Sequence, residues 1–246
     1  MAAHSKRAFK RPLAGFRIGI LVLDTAHELV PGNLQHAGSF DFPVLYEVVR
    51  GVSSAALMQG DPGAGESIVA SARRLENAGV GFIVGACGSF ANYQQAVAAA
   101  VNVPVFMSIL LEVPMLLRAL PKSRKLGIIF ASTSTFTEAV RAQCAITHTE
   151  RIVAVGADGI EAFRPILAQR GRLDSDALRR GLARLAGNAL RRHPGLGAWL
   201  LQCSDLPPYA DAIQRMTHLP VFHMGSLIRH LHGAFAGCHS GTGAYP

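Results

Sequence analysis

Cys87 and Cys203 hold the same place in two stretches of the chain that align without a gap. Gly79-Val-Gly-Phe-Ile-Val-Gly-Ala-Cys87 lies against Gly195-Leu-Gly-Ala-Trp-Leu-Leu-Gln-Cys203. The match continues through Tyr93 over Tyr209, Ala96 over Ala212 and Pro104-Val-Phe over Pro220-Val-Phe, always at an offset of 116. An earlier pair, Arg17-Ile-Gly-Ile-Leu-Val-Leu-Asp-Thr25 and Lys125-Leu-Gly-Ile-Ile-Phe-Ala-Ser-Thr133, matches at an offset of 108. In each copy the cysteine closes an apolar strand and precedes a helix, whose positive dipole end favours the thiolate. A free thiol has a pKa of about 8.5, so modest local effects poise such a group between proton donor and base. One strand-end cysteine is usually a small buried hydrophobe. Two at equivalent places in a duplicated pattern point to chemistry. Cys144, inside an expected helix, and Cys238, near the end of the chain, have no such placement.

Other polar residues cluster at the same strand ends. Asp24 follows the first strand and Asp205 follows the second cysteine. Each can orient or tune a thiol, or serve as a turn or cap residue. Ser132, Thr133, Ser134 and Thr135 follow the strand that opens the second copy. With the N–H groups of the next helix they make a carboxylate cradle, or else an ordinary N-cap. Phe40, Phe42 and Pro43 either line a side-chain pocket or pack their own loop. His230 and His232 are two apart with His223 nearby, but no His-Glu-x-x-His or Cys-x-x-Cys spacing occurs, so no metal is expected.

The elements that must position these residues read as alternating strands and helices. Strands are expected at 17–23, 81–86, 103–107, 125–131, 152–155, 197–202 and 219–222. Helices are expected near 66–77, 92–100, 113–119, 136–144, 175–192, 209–216 and 226–235. Such alternation predicts an α/β fold with parallel sheets flanked by helices. The duplication predicts two pseudo-symmetric lobes, with ligands bound beyond the carboxyl ends of the strands in the cleft between them. The expected division is a basic arm at 1–16, a first lobe at 17–117 completed by 223–236, a second lobe at 118–222 and a mobile tail at 237–246. Residues 24–44 show no clear period and read as one long functional loop with a turn of helix.

Composition narrows the function classes. Of 246 residues, 50% are hydrophobic and 16% charged, enough for a large core and too apolar for a disordered chain. Four cysteines are too few for a disulfide scaffold of this length, so reduced thiols and a cytoplasmic location are expected. The net charge of +8 raises the question of nucleic acid. Lys6, Arg7, Lys10 and Arg11 form the arm, and Arg179, Arg180, Arg184, Arg191 and Arg192 lie off the apolar stripe of Leu178, Leu182, Leu185 and Ala189. No aromatic residues interleave with them and no nucleic-acid motif appears, so no such partner is expected. Residues 77–111 lack Asp, Glu, Lys and Arg but contain Asn92, Tyr93, Gln94, Gln95, Asn102 and Pro104. Buried parallel strands explain that run better than a membrane span. Arg17 interrupts the early apolar run, which makes a poor signal peptide.

The paired cysteines, each at the end of a strand in a duplicated α/β pattern, resemble the aspartate/glutamate racemase superfamily over nearly the whole of residues 17–235. The matching segments are Asp24-Thr25, Cys87-Gly88-Ser89, Ser132-Thr133-Ser134-Thr135 and Cys203-Ser204-Asp205. The resemblance implies Cys87 and Cys203 as a pair of catalytic bases on opposite walls of a cleft. It implies Asp24, Thr25, Gly88, Ser89, Ser132, Thr133, Ser134, Thr135, Ser204 and Asp205 as substrate-binding residues, with no pyridoxal phosphate, no metal and no other cofactor. One thiolate removes a proton from a carbon beside a carboxylate or carbonyl, and the opposite thiol returns one, inverting the centre. The implied enzyme is an amino-acid-type racemase or epimerase, with a small carboxylate or hydantoin-like substrate. The alternatives are a hydantoin-type racemase, a maleate-type isomerase or a non-catalytic ligand-binding relative. A homo-oligomer, a dimer in particular, is expected alongside. Two departures bear on the substrate. The family usually has Cys-Asn-Thr at the first site, where Gly88 here removes an amide, and Cys-Thr-Glu or Cys-Thr-His at the second.

Overall fold

A computed structural model describes residues 15–235. Nearly all of the basic arm, the tail at 237–246 and Cys238 lie outside the described residues. In chain order the elements are β1 (Ile18–Leu23), β2 (Ala26–His27), β3 (Val44–Val49), α1 (Ser54–Gln59), α2 (Pro62–Ala78), β4 (Phe82–Gly85), α3 (Gln94–Ala100) and β5 (Val105–Phe106). They continue with α4 (Val113–Ala119), β6 (Lys125–Phe130), α5 (Glu138–Gln143), β7 (Ile152–Gly156), α6 (Arg164–Leu167), β8 (Arg170–Gly171), α7 (Ser175–Arg192), β9 (Leu196–Leu201), α8 (Ala210–Thr217), β10 (Val221–His223) and α9 (Met224–Gly233).

Two four-stranded sheets carry the fold, ordered β3-β1-β4-β5 and β7-β6-β9-β10, with every pairing parallel. Counted within each half, both orders are second, first, third, fourth. The α/β class and its parallel sheets are as the sequence predicts. β1 is buried along its whole length because it is covered on both faces. Ile18, Ile20 and Val22 face a central core that also holds Leu126, Ile128 and Phe130 of β6, together with Leu116 and Leu117 of α4 and Leu227, Ile228 and Leu231 of α9. Leu21 and Leu23 face the other way, onto Ile68, Ala72 and Leu75 of α2. On the far side of the second sheet, Ile129, Trp199 and Leu201 pack on Leu178, Leu182 and Ala186 of α7. Each such buried aliphatic side chain contributes about 1.5–3 kcal/mol. Gly127 is opposite Trp199 in register, and a Cβ there would strike the indole ring.

Three differences from the expected elements concern the site. Residues 24–44 are not a single loop: β2 opens the segment, and its end runs into β3, an edge strand of mostly half-buried residues whose apolar run is interrupted by Glu47. β2 pairs in parallel with β8, Ala26 with Arg170 and His27 with Gly171, joining the two halves through a two-residue ladder. The short helices α1 and α6, one from each half, were also absent from the expected pattern. They have only six and four residues, too few to display a helical period.

Candidate functional site

In each sheet the strand order reverses between its first and third strands, the place where open α/β sheets bind ligands. The four carboxyl ends concerned, of β1, β4, β6 and β9, converge on one cavity of about 130 Å³. That is slightly smaller than a cavity of about 150 Å³ that admits benzene, so the ligand class is small. Thr25 and His27 enter after β1, Cys87, Gly88 and Ser89 after β4, Thr135 after β6, and Gln202, Cys203, Ser204 and Asp205 after β9. Met58 of α1 and Leu167 of α6 stand at the lining with 43% and 45% of their surface exposed, so large apolar side chains face solvent at its mouth.

The two cysteine corners differ. Cys87 caps a 3-10 helix at Gly88–Tyr93. Burial pushes its thiol up from the ordinary value, and the Asp205 charge adds to this; the Ser89 N–H, the Ser89 hydroxyl and the Phe90 N–H pull it back. Cys203 is pushed well up, first by burial and then by the Asp205 carboxylate, with the Asp205 N–H opposing. The charge of Cys87 also raises it, so ionising one thiol opposes ionising the other. The Cys203 Sγ donates to Asp205 Oδ2 at 3.5 Å. Asp205 Oδ1 accepts from Asn33 Nδ2 at 2.6 Å and lies 2.7 Å from His27 Nε2. A carboxylate only accepts, so this contact puts a proton on His27 Nε2. His27 Nδ1 and Ser54 Oγ are buried with no hydrogen-bond partner among the described residues.

Here the sequence expectations need correction. The thiolate preference expected from a helix dipole is outweighed by burial, and the helix beside each cysteine is not α-helical: a 3-10 turn follows Cys87, and after Cys203 the first helical turn is Pro207–Tyr209. Of the residues singled out, Cys87, Cys203, Thr25, Gly88, Ser89, Thr135, Ser204 and Asp205 line the one cavity. Asp24 does not: along the extended chain it points opposite to Leu23 and Thr25 and is exposed. Ser132, Thr133 and Ser134 also stay outside the lining. They form a turn in which Ser132 and Ser134 bond each other and the Thr135 hydroxyl donates to the Ser132 carbonyl. Phe40 and Phe42 pack on the central core, where Phe42 stacks on His232 at 3.7 Å. His223 caps α9, with its pKa lowered to about 4 by burial and the nearby Arg229. Among the described residues no group of three or more His, Cys, Asp or Glu could hold a metal, and no helix is long and apolar enough to cross a membrane. His27, Asn33 and Gln202 were missed. The first two lie in the aperiodic segment, but Gln202 replaces Ala86 in the aligned copies, a signal the sequence did carry.

No family model matches the chain. Dimethylsulfoniopropionate lyases 3 and 6 of Emiliania huxleyi (strain CCMP1516) are each 30% identical to it over 215 residues, which is 83% of this chain and 56% of theirs. The chain thus spans little more than half the length of these relatives. A dimethylsulfoniopropionate lyase of Durusdinium sp. clade D is 28% identical over 212 residues, 83% of this chain and 70% of its own. Among solved structures, glutamate racemase of Bacillus anthracis superposes with a TM-score of 0.58 at 14% identity, covering 91% of this chain and 83% of its own. A glycine-to-cysteine variant of arylmalonate decarboxylase in a sulfate-associated form gives 0.58 at 22% identity, covering 93% and 96%. An aspartate racemase homologue of Pyrococcus horikoshii OT3 gives 0.56 at 18%, covering 89% and 99%. The chain therefore has the fold shared by the glutamate racemase, the arylmalonate decarboxylase variant and the aspartate racemase homologue.

Proposed function

We propose that this chain is a carbon-acid lyase. It would remove the α-proton of a small carboxylate and expel a sulfide from the β-carbon, with dimethylsulfoniopropionate as the substrate. The observation that carries this reading is the pair of unlike thiols on one small cavity whose lining, among the described residues, contains Asp205 but neither Lys nor Arg. A dicarboxylate would meet a like charge there with no lysine or arginine of the described lining to offset it. A zwitterion with a cationic β-sulfonio group instead gains from the Asp205 charge. The relatives named as dimethylsulfoniopropionate lyases support the same substrate.

Cys87, the thiol surrounded by donors, is the base. Its thiolate takes the α-proton, the C–H electrons form the new α,β double bond, and the β-carbon–sulfur bond breaks with its electrons passing to sulfur. The products are neutral dimethyl sulfide and acrylate. The proton held on Cys87 returns to solvent and restores the thiolate. No step uses a cofactor. Cys203, held as a thiol against Asp205, faces the same carbon. Incubation with dimethylsulfoniopropionate, reading dimethyl sulfide by headspace gas chromatography and acrylate by NMR, should show equimolar release. Absence of both products from folded protein, over a range of pH, would refute the reading.

Retention of the second cysteine supports a second reading, the racemase expected from the sequence. There Cys203 would return a proton to the opposite face. A panel of chiral carboxylates and hydantoins in deuterated water separates the two: a racemase gives inverted, deuterated substrate, whereas the lyase gives acrylate.

A further inference from the structure

Several polar groups around the cavity are committed to one another. Asp205 receives His27, Asn33 and Cys203, and the Thr135 hydroxyl is spent on the Ser132 carbonyl. Gln202 is the contrast. It is 6% exposed and lines the cavity, yet its carboxamide makes no hydrogen bond among the described residues. The residue is buried, but its amide atoms are not among the solvent-excluded polar atoms that lack a partner, so the carboxamide is open to the cavity.

Gln202 immediately precedes Cys203, but its carboxamide lies over Gly88, the residue after Cys87. A Cβ on Gly88 would overlap the Nε2 and Cδ of Gln202. The other half cannot return the gesture, because Ala86 stands at the position matching Gln202. A single amide from the second sheet therefore fills the space that glycine leaves beside the first cysteine.

We propose that Gln202 is the substrate-carboxylate anchor, donating Nε2–H to a carboxylate oxygen of a ligand held between Cys87 and Cys203, and that Gly88 is glycine in order to admit this amide. The assignment rests on the carbon-acid reading only in requiring a small carboxylate ligand. Since the segment at Ser132, Thr133 and Ser134 lies outside the lining and the described lining has no Lys or Arg, neutral donors are what a carboxylate meets, and of these Gln202 is the carboxamide that lies against the residue after Cys87. Such a bond also strengthens as charge moves onto the carboxylate during proton removal.

The test is a ligand-observed NMR titration of propionate against wild-type protein, Gln202→Leu, Gly88→Ala and the double variant, with folding checked by circular dichroism. Gln202→Leu should weaken binding about ten- to a hundredfold, as expected for a hydrogen bond to a charged group. Gly88→Ala, whose methyl group expels the amide without altering it, should weaken binding to a similar degree. The double variant should be no worse than either single one. Undiminished propionate affinity in either folded single variant, or no propionate binding by wild-type protein, would overturn the assignment. Dimethyl sulfide release is scored separately: Gln202-dependent propionate binding without release would sink the lyase reading and leave the anchor standing.

Discussion

The Cys87 and Cys203 corners begin from the same backbone plan, strand end followed by a turn, and end with different partners around the sulfur. Around Cys87 the neighbours are donors, namely Ser89 through its N–H and hydroxyl and Phe90 through its N–H. Around Cys203 the nearest side-chain partner is a carboxylate that accepts from the thiol. Ser89 and Asp205 occupy matching positions in the aligned copies, so a single residue difference separates a corner whose donors partly offset the cost of burying a thiolate from one whose carboxylate adds to it. The two aligned stretches supply two sulfurs around one cavity, and the residue two positions after each sulfur affects how readily it ionises.

The largest expected effect comes from removing the sulfurs. Cys87→Ser should cut kcat/KM for dimethyl sulfide release by about 10³-fold or more, because a hydroxyl is far harder to ionise than a thiol. Cys203→Ser should cost less, about 10²-fold. Equal losses accompanied by deuterium inversion of a chiral acid would favour the racemase reading. Next come two variants that should move the pH dependence in opposite directions. Cys87 works as its thiolate and its pKa is raised, so activity should climb as pH rises through that raised value. Ser89→Ala removes a donor to the thiolate and should move this limb to higher pH, costing about tenfold in rate near pH 7. Asp205→Asn removes the charge that opposes ionisation of both sulfurs, so the pH profile of thiol alkylation should move down. Shifts in the same direction would break the contrast between the corners.

A smaller effect tests the scaffold beneath them. Gly19 and Gly127 match in the repeat, but they face different neighbours. A methyl on Gly127 meets the Trp199 ring, whereas one on Gly19 meets the movable ends of Leu75 and Val80 at 3.0–3.1 Å. Gly127→Ala should lower unfolding stability by about 1–3 kcal/mol, and Gly19→Ala by less, as read from urea melts. Smallest of all is Cys144→Ala. Burial lifts that thiol to about 12, and it packs in the central core away from the cavity lining. Turnover should be unchanged, with only a modest fall in melting temperature.

How far the sequence revealed all this depends on the range of the contacts. The strands covered on both faces announce themselves as unbroken apolar runs, and the fixed offset brings Cys87 and Cys203 into correspondence. β3 is half-exposed at a sheet edge and has no such run. Asp24 was singled out because it directly follows β1, but an extended chain turns alternate side chains to opposite sides, and Thr25 faces inward instead. The cluster on Asp205 depends on contacts across 178 and 172 residues to His27 and Asn33, which no local pattern encodes. The exchange of Ala86 for Gln202 and Ser204 for Gly88 is visible in the aligned copies, yet it acquires meaning only when the two sheets meet.

The two-residue ladder between Ala26 and Arg170 bears on how the chain reaches its native state. Closing a loop of this length carries a large chain-entropy cost for few bonds, so contacts of this kind form late. The ladder includes His27, and His27 holds Asp205. A nascent or partly refolded molecule can thus possess both parallel sheets and still lack a working pocket. Recovery of ligand binding during refolding should lag behind recovery of helical circular dichroism, making the pocket the last part of the molecule to mature.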